Sequence, residues 1–358
     1  MAHNLNFNLK RQSYSFAGTK PAWHGLGTIV KEAMTSEEAI KLANLDFEVQ
    51  LAQKVALVKE IRKDETLQYN TVIKTNLPQY GLTYHKGILV PDTYFTFRTD
   101  TNDILGEVLS RYTVVQNTQA FDFFDNIIQS KQAIFETAGC LGKGETIFIT
   151  VKLPNSFTIG KDDLIDKYLL FTNTHDGSGS IRILFTPIRV VCNNTLQAAL
   201  SGATNVITLR HTANIAKKLE MAQSALGLAN VNFMQLEVAF NKMTEVKLTD
   251  KEFTEKVLTP FLTKKELELL ISNNGDYETI HEFSTKKKNI LRDIEEYAYV
   301  GIGQEMQSTK GTAFGVFNAV TGYFNNVKQY RNGNAGKFSS VFIGEDLKVI
   351  QKAFEVCI

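Results

Sequence analysis

Apolar and polar residues alternate along several short stretches in the first 200 positions of the chain, and a period of two is typical of half-buried β-strands. The clearest stretches are YLLFTNT, which begins at Tyr168, and IRILFTPIRVV, which ends at Val191. The segment between them is rich in Asn, Asp, Gly and Ser, which favour turns. The pattern therefore predicts a β-hairpin over 168–191.

The same alternation predicts strands before this hairpin. Residues 94–98 and 107–115 are expected to pair as another hairpin, and further strands are expected at 133–136 and 146–153. The segment GCLGKGET, which starts at Gly139, resembles a phosphate-binding loop. Its lysine is followed by glycine rather than by a hydroxyl residue, so we interpret the segment as a tight turn between strands.

Spacings of three and four residues between apolar positions predict helices elsewhere. Two Thr-x-x-Glu pairs have the spacing of a capping box, in which each side chain satisfies the other residue's free backbone donor. These pairs are Thr35 with Glu38 and Thr263 with Glu266. Asn117 or Thr118 is expected to cap another helix. Further helices are predicted at 195–200, 285–299, 312–328 and 345–356.

Together these elements predict an α+β fold, with antiparallel β-hairpins and helices in the N-terminal part and a helical C-terminal third. The hydrophobic period changes near residue 210. We therefore predict an α+β domain over 1–210 and a mainly helical region over 211–358 that packs on it. No long Pro-, Gly- or Ser-rich linker separates the two parts.

Composition limits the function classes. The chain has 358 residues and a formal net charge of +1, which argues against a polycation such as a histone-like protein but permits a local basic surface. The three cysteines include no C-x-x-C pair, so a reducing cytoplasm is the simpler expectation. No apolar run approaches the roughly 20 residues that span a bilayer, and we expect no membrane partner.

The sequence offers little catalytic chemistry. The six histidines are scattered, which predicts neither a metal site nor a cofactor. His175 lies between Thr174 and Asp176, but neighbouring strand residues point to opposite faces, so these three residues do not predict a catalytic triad. Asp163 and its neighbours are interpreted as solvated loop charge.

Anion binding fits the hairpin better. Arg182 and Arg189 would face opposite sides of an unbroken strand, but a bulge at Pro187 would bring them together. Asn193 and Asn194 are expected at the start of the short helix over 195–200, where free backbone donors favour anions. The competing interpretation, given equal weight, is that an asparagine is only a cap and that the arginines pair with surface carboxylates.

Aromatic residues beside cations also favour anion binding, specifically of single-stranded nucleic acids, because such pairs form stacking platforms for them. Arg98 follows Phe97, and Arg111 precedes Tyr112. The candidate nucleic-acid-binding residues are Arg98, Arg111, Tyr112, His175, Arg182, Arg189, Asn193 and Asn194.

Four motifs carry a family resemblance. PAWHGLG lies near the start, RYTVVQNTQAFDFF begins at Arg111, the hairpin segment runs from TNTHDGSGS to RVVCNNTL, and TAFGVFNAVTGYF begins at Thr312. In this order they resemble domain-of-unknown-function family 932, whose members are typically encoded on phages, prophages and plasmids. The resemblance implies no catalytic residues.

Residues and resemblance together predict a cytoplasmic protein of a bacterial host cell that binds single-stranded DNA as a recombination or annealing accessory of a mobile element. One alternative is a metal-dependent hydrolase or nuclease of unrecognised type, centred on His175, Asp176 and Arg189. Another is a non-enzymatic phage interaction protein. The sequence favours binding over catalysis and leaves a homo-oligomer open.

Overall fold

The computed structural model describes residues 15–17, 28–29, 34–60, 72–77, 81–161, 163–189, 194–195, 206–225, 229–331, 336–337, 340–341 and 344–358. The strands are β1 Ser15–Ala17, β2 Thr28–Ile29, β3 Val49–Glu60, β4 Val72–Leu77, β5 Gly81–Arg98, β6 Ile104–Leu109, β7 Ile134–Leu141, β8 Thr146–Lys152, β9 Phe157–Ile159, β10 Asp163–Thr174, β11 Ile181–Arg189, β12 Asn194–Thr195 and β13 Val206–Leu209.

The helices are α1 Ser36–Leu42, α2 Asn117–Asp122, α3 Asp125–Gln129, α4 Ile215–Ala225, α5 Ala229–Glu245, α6 Asp250–Leu258, α7 Lys264–Ser272, α8 Thr285–Val300, α9 Ala313–Gly322 and α10 Glu345–Cys357. A 3₁₀ turn, Thr259–Phe261, follows α6, and a π-helical turn, Tyr323–Val327, follows α9.

The described strands form two sheets. The larger sheet has the order β12-β11-β10-β8-β7-β1-β2, with β13 also paired to β11 and β9 to β10. All of its pairs are antiparallel except β1 with β2. The smaller sheet has the order β3-β5-β4, with β6 also paired to β5. The predicted α+β class is confirmed, as are the hairpin of β10 with β11 and the turn between β7 and β8.

One face of the larger sheet carries the hydrophobic core. Phe171 on β10 packs against Phe123 with ring centroids 5.4 Å apart, and Phe185 on β11 packs against Phe233 of α5 at 6.2 Å. In the C-terminal part every residue of α9 is buried, and its Phe317 lies 5.5 Å from Phe354 of α10. One continuous cluster of buried apolar residues includes side chains from both regions.

Local signals explain several element boundaries. Both predicted capping boxes are confirmed, at the starts of α1 and α7. The expectation that Asn117 or Thr118 caps α2 is wrong, because Gln116 is the N-cap and its backbone N–H donates to the Gln119 side chain at 2.8 Å. The side chain of Asn117 instead makes long-range hydrogen bonds.

Asp163 also differs from expectation. The interpretation as solvated loop charge is wrong, because Asp163 begins β10, is fully buried and accepts a hydrogen bond from the Ser308 hydroxyl at 3.0 Å. A carboxylate is costly to bury without such partners. The sequence pattern carried no sign of Ser308, which is 145 residues away.

Candidate nucleic-acid interface

The turn after β10 is the place where the two sheets meet. A Cβ atom on Gly106 of β6 would collide with the backbone of Asp176. Gly177 has a φ of +77°, and a Cβ there would lie 2.8 Å from a methyl carbon of Val108. The glycines on both sides of this contact therefore permit close packing of β6 on the turn. We call this contact region between β6 and the turn after β10 the sheet joint.

His175 is fully buried in the sheet joint. Its Nε2 lies 2.9 Å from Oδ1 of Asn117, and its backbone N–H donates to the Glu145 carbonyl. The Asn117 amide nitrogen donates to the Leu45 carbonyl at 2.9 Å, so Oδ1 is the acceptor and His175 carries its proton on Nε2. Burial lowers the pKa of His175 to about 3, and the imidazole is therefore neutral at physiological pH.

His175 is one of three buried polar side chains that bond to alternate residues of the segment 113–117. Nδ1 of His211 faces the carbonyl oxygen of Thr113 at 3.0 Å, and the Asn173 amide donates to the Val115 carbonyl at 3.1 Å. The remaining polar atoms of these side chains, His175 Nδ1, His211 Nε2 and Asn173 Oδ1, are buried and have no hydrogen-bond partner among the described residues. Our sequence interpretation missed His211, because no local pattern links it to a segment about 100 positions earlier.

Tyr112 belongs to the same joint. Its hydroxyl donates to the Thr174 carbonyl at 2.9 Å, and its ring stacks on His211 with centroids 4.6 Å apart. Burial raises the pKa of Tyr112 well above its usual value. Through the ring stack, Tyr112 holds the chain segment that contains Arg111 against the segment that contains Arg210.

Three arginines lie on chain segments next to this joint, and we call Arg111, Arg182 and Arg210 the arginine edge. Arg111 and Arg210 are exposed, and Arg182 is partly exposed. Arg182 on β11 pairs with Thr208 on β13, two residues before Arg210. The N–H of Thr113, two residues after Arg111, donates to the His211 carbonyl at 3.3 Å. Register and this hydrogen bond therefore bring three distant segments to one edge.

The cations of the arginine edge have no carboxylate within ion-pair distance in the part of the chain that the structure describes. The nearby carboxylate of Asp176 accepts hydrogen bonds from the N–H and hydroxyl of Ser178, at 2.9 and 2.7 Å. Its acceptor oxygen is thus held by its own turn.

Arg98 lies in a different environment from the arginine edge. It is fully buried, and its guanidinium donates to both carboxylate oxygens of Asp100, at 2.9 and 2.7 Å, and to the Lys143 carbonyl at 2.7 Å. It also lies 3.8 Å from the ring centroid of Phe47. A guanidinium enclosed in this way joins the β5 end to the β7–β8 turn and is inaccessible to a large ligand.

The predicted phosphate cradle around Arg182 and Arg189 is not assembled. β11 continues through Pro187 with an unbroken register, so the expected bulge is wrong. The seven-residue separation of the two arginines in the sequence corresponds to about 23 Å along the strand. Asn194 lies in β12 opposite Arg189 rather than at a helix start, and Asn193 lies outside the described residues.

No three His, Cys, Asp or Glu side chains in the part of the chain that the structure describes are grouped so that they could hold a metal ion. None of its helices combines the length and the apolar character needed to cross a membrane.

Comparison with known proteins identifies a family. The model of the family described as "Domain of unknown function (DUF932)" matches residues 104–341, which include the sheet joint, the arginine edge and most of the helical region. Neither the curated proteins nor the solved structures compared with the chain include a match. Because the family model covers well over half of its length, the chain belongs to the DUF932 family.

Proposed function

We propose that this protein binds single-stranded nucleic acid through the arginine edge. The observation that carries the proposal is the set of three guanidinium groups, Arg111, Arg182 and Arg210, that no carboxylate neutralises among the described residues. Guanidinium groups bind phosphate oxygens through two parallel hydrogen bonds, and they are the side chains best suited to this task.

The charge distribution supports a local site rather than a basic molecule. The chain carries 39 Lys and Arg against 38 Asp and Glu, so its total charge attracts no polyanion. Elsewhere, exposed cations such as Lys41 and Arg292 are paired with Glu37 and Glu278. Other exposed cations, such as Lys265 and Lys286, also lack a carboxylate partner among the described residues. The three cations of the arginine edge differ because strand register and a hydrogen bond bring their segments together.

The surroundings of the edge suit a flexible strand. Its described elements are strand ends and turns, whereas an α-helix is the common element for entering the major groove of a duplex. Thr208, beside Arg182, is exposed and offers a hydroxyl to phosphate. Arginine planes also stack on unpaired bases, which permits binding without sequence preference.

The family adds a biological setting to this proposal. Its members' typical place on phages, prophages and plasmids fits a recombination or annealing accessory that works in the cytoplasm of a bacterial host. Binding of single strands is the property that such a role requires. No described observation favours the hydrolase or nuclease alternative.

Fluorescence anisotropy with a labelled thymidine 30-mer at several salt concentrations tests the proposal. We expect affinity to fall steeply with salt, by about 0.7 log units per log unit of salt for each phosphate contacted. Replacing Arg111, Arg182 and Arg210 by Gln together should lower that slope by roughly 2. An unlabelled duplex should compete less well than an unlabelled single strand.

A charge-matched control separates the edge from general electrostatics. The triple variant Lys41→Gln, Lys286→Gln and Arg292→Gln removes the same charge from exposed positions away from the edge. It should retain the affinity and salt slope of the unchanged protein. Equal losses in both triple variants, or no binding by the unchanged protein, would contradict the proposal.

A further inference from the structure

The helical region contains a cleft far along the chain from the arginine edge. It has a volume of about 320 Å³ and lies between α10 on one side and the 3₁₀ turn, α8 and the π-helical turn on the other. Clefts that bind small molecules start at about 300 Å³. The α10 residues that line it lie at 345, 346, 348, 349 and 352, one helical face about 10 Å long.

The floor of the cleft is aromatic. Phe261 is partly exposed, stacks on Phe324 with centroids 5.6 Å apart, and meets Tyr323 edge-on at 5.6 Å. Phe324 and Tyr323 are buried and hold the Phe261 ring in place. Ile290 and Val349 extend the apolar lining. A flat ring that enters the cleft would therefore find a rigid apolar surface.

The charges at the rim are not balanced. Lys328 is paired with the buried Asp346 at 2.6 Å, and Lys348 is paired with Glu345 at 2.8 Å. Lys352 has no carboxylate partner among the described residues, and its ammonium donates instead to two backbone carbonyls, one in the 3₁₀ turn and one in the residue after it. One positive charge is thus in excess at the cleft.

The position of this charge relative to the aromatic floor is well defined. The Lys352 ammonium donates to the carbonyl oxygens of Thr259 at 3.1 Å and Leu262 at 2.6 Å. Those residues flank Phe261 in the sequence, so the charge lies at the turn that carries the ring. An ammonium group has three donors, and two of them are used here.

We propose that this cleft binds a planar aromatic anion, with its ring on Phe261 and its carboxylate or phosphate on Lys352. Ring contact and charge complementarity together require both features in one ligand. A nucleotide and an aromatic carboxylate share this chemistry. The proposal is independent of nucleic-acid binding at the arginine edge.

Isothermal titration calorimetry on the full chain tests the proposal with four probes. Benzoate and AMP each combine a ring with an anion, cyclohexanecarboxylate keeps the charge without a flat ring, and inorganic phosphate has no ring. We expect benzoate to bind tenfold or more tightly than cyclohexanecarboxylate, or AMP tenfold or more tightly than inorganic phosphate. Tight binding by AMP alone would identify a nucleotide, and by benzoate alone an aromatic carboxylate.

Variants assign the binding to the cleft. Phe261→Leu keeps apolar volume but removes the ring, and Lys352→Gln removes the charge. Each should weaken the binding tenfold or more, while Lys352→Arg should retain it and the exposed control Lys286→Gln should leave it unchanged. Melting temperatures of all four variants check that the fold is retained.

The proposal is overturned if neither aromatic probe binds at least tenfold more tightly than its non-aromatic counterpart. It is also overturned if Phe261→Leu and Lys352→Gln, both folded, bind the probe like the unchanged protein. Oligonucleotide binding by the Lys352→Gln variant should be unaffected, which keeps this test distinct from that of the arginine edge.

Discussion

The imidazole of His175 donates a hydrogen bond from Nε2 to Oδ1 of Asn117 at 2.9 Å and so connects the end of β10 to the start of α2. Asn117 in turn donates to the Leu45 carbonyl at 2.9 Å, which adds the segment before β3. One buried pair thereby ties together three segments separated by dozens of residues. Both residues lie in the motifs that carry the family resemblance, and their contacts give those motifs a structural role.

The first prediction concerns acid stability. His175 has a pKa near 6.5 when exposed and about 3 in the folded protein, because burial disfavours its charged form. Between these pH values the unfolded chain binds the extra proton, so the free energy of unfolding falls as the pH drops below about 6.5. At about 1.4 kcal/mol per pH unit, lowering the pH from 7 to 5 should cost about 2 kcal/mol through this residue.

Urea unfolding of the unchanged protein and of His175→Gln at pH 7 and pH 5 measures this effect. The variant should be less stable at pH 7 but should lose about 2 kcal/mol less on acidification. His281→Gln, at an exposed position, is the control and should follow the unchanged protein. The same acid loss in His175→Gln as in the unchanged protein would show that another group causes it.

The second prediction concerns the packing of the sheet joint. Gly177→Ala places a methyl group 2.8 Å from Val108 and also requires a positive φ, whereas Gly275 has a similar φ of +86° with no atom within 4 Å of its Cβ position. Gly275→Ala therefore measures the backbone strain alone. We expect Gly177→Ala to be more destabilising than Gly275→Ala by about 1–3 kcal/mol, the usual cost of overpacking. If urea unfolding showed equal losses of unfolding free energy in both variants, the sheet joint would accommodate the methyl group at no cost.

The third prediction compares two arginines with the same kind of partner. Arg98 and Arg292 each donate from Nε and Nη2 to one carboxylate group, but Arg98 is fully buried and Arg292 is exposed. Arg98→Lys keeps the charge and loses the planar set of donors, which should cost about 2–3 kcal/mol. Arg292→Lys should change the midpoint of urea unfolding far less. Similar midpoints for both variants would contradict the structural role of Arg98.

The fourth prediction separates stability from binding at Tyr112. Tyr112→Phe retains the ring that stacks on His211 but removes the hydroxyl that donates to Thr174. Loss of this hydrogen bond should cost about 1 kcal/mol of unfolding free energy. Oligonucleotide affinity should stay within twofold, because the arginines carry the charge. A large loss of affinity without a loss of stability would instead place the hydroxyl in contact with the ligand.

Local chemistry was sufficient to predict much of the architecture. The β10–β11 hairpin follows from period-two alternation around a turn-rich segment. Thr263 caps α7 because a Thr-x-x-Glu pair satisfies backbone donors within a single turn. These signals act over a few residues, so they are visible in the sequence. The same is true of the helices α8, α9 and α10, whose apolar spacing marks them.

The candidate site depended on contacts that no local pattern encodes. The sequence presented Arg98 and Arg111 as equivalent cations beside aromatic residues, yet the fold buries Arg98 against Asp100 and leaves Arg111 exposed. Arg210 was not predicted, because only the pairing of β13 with β11 brings it to Arg182. Hydrophobic period and turn chemistry act over a few residues and determine the local elements. Strand register and the packing of the two sheets decide which distant charged side chains meet and which are neutralised.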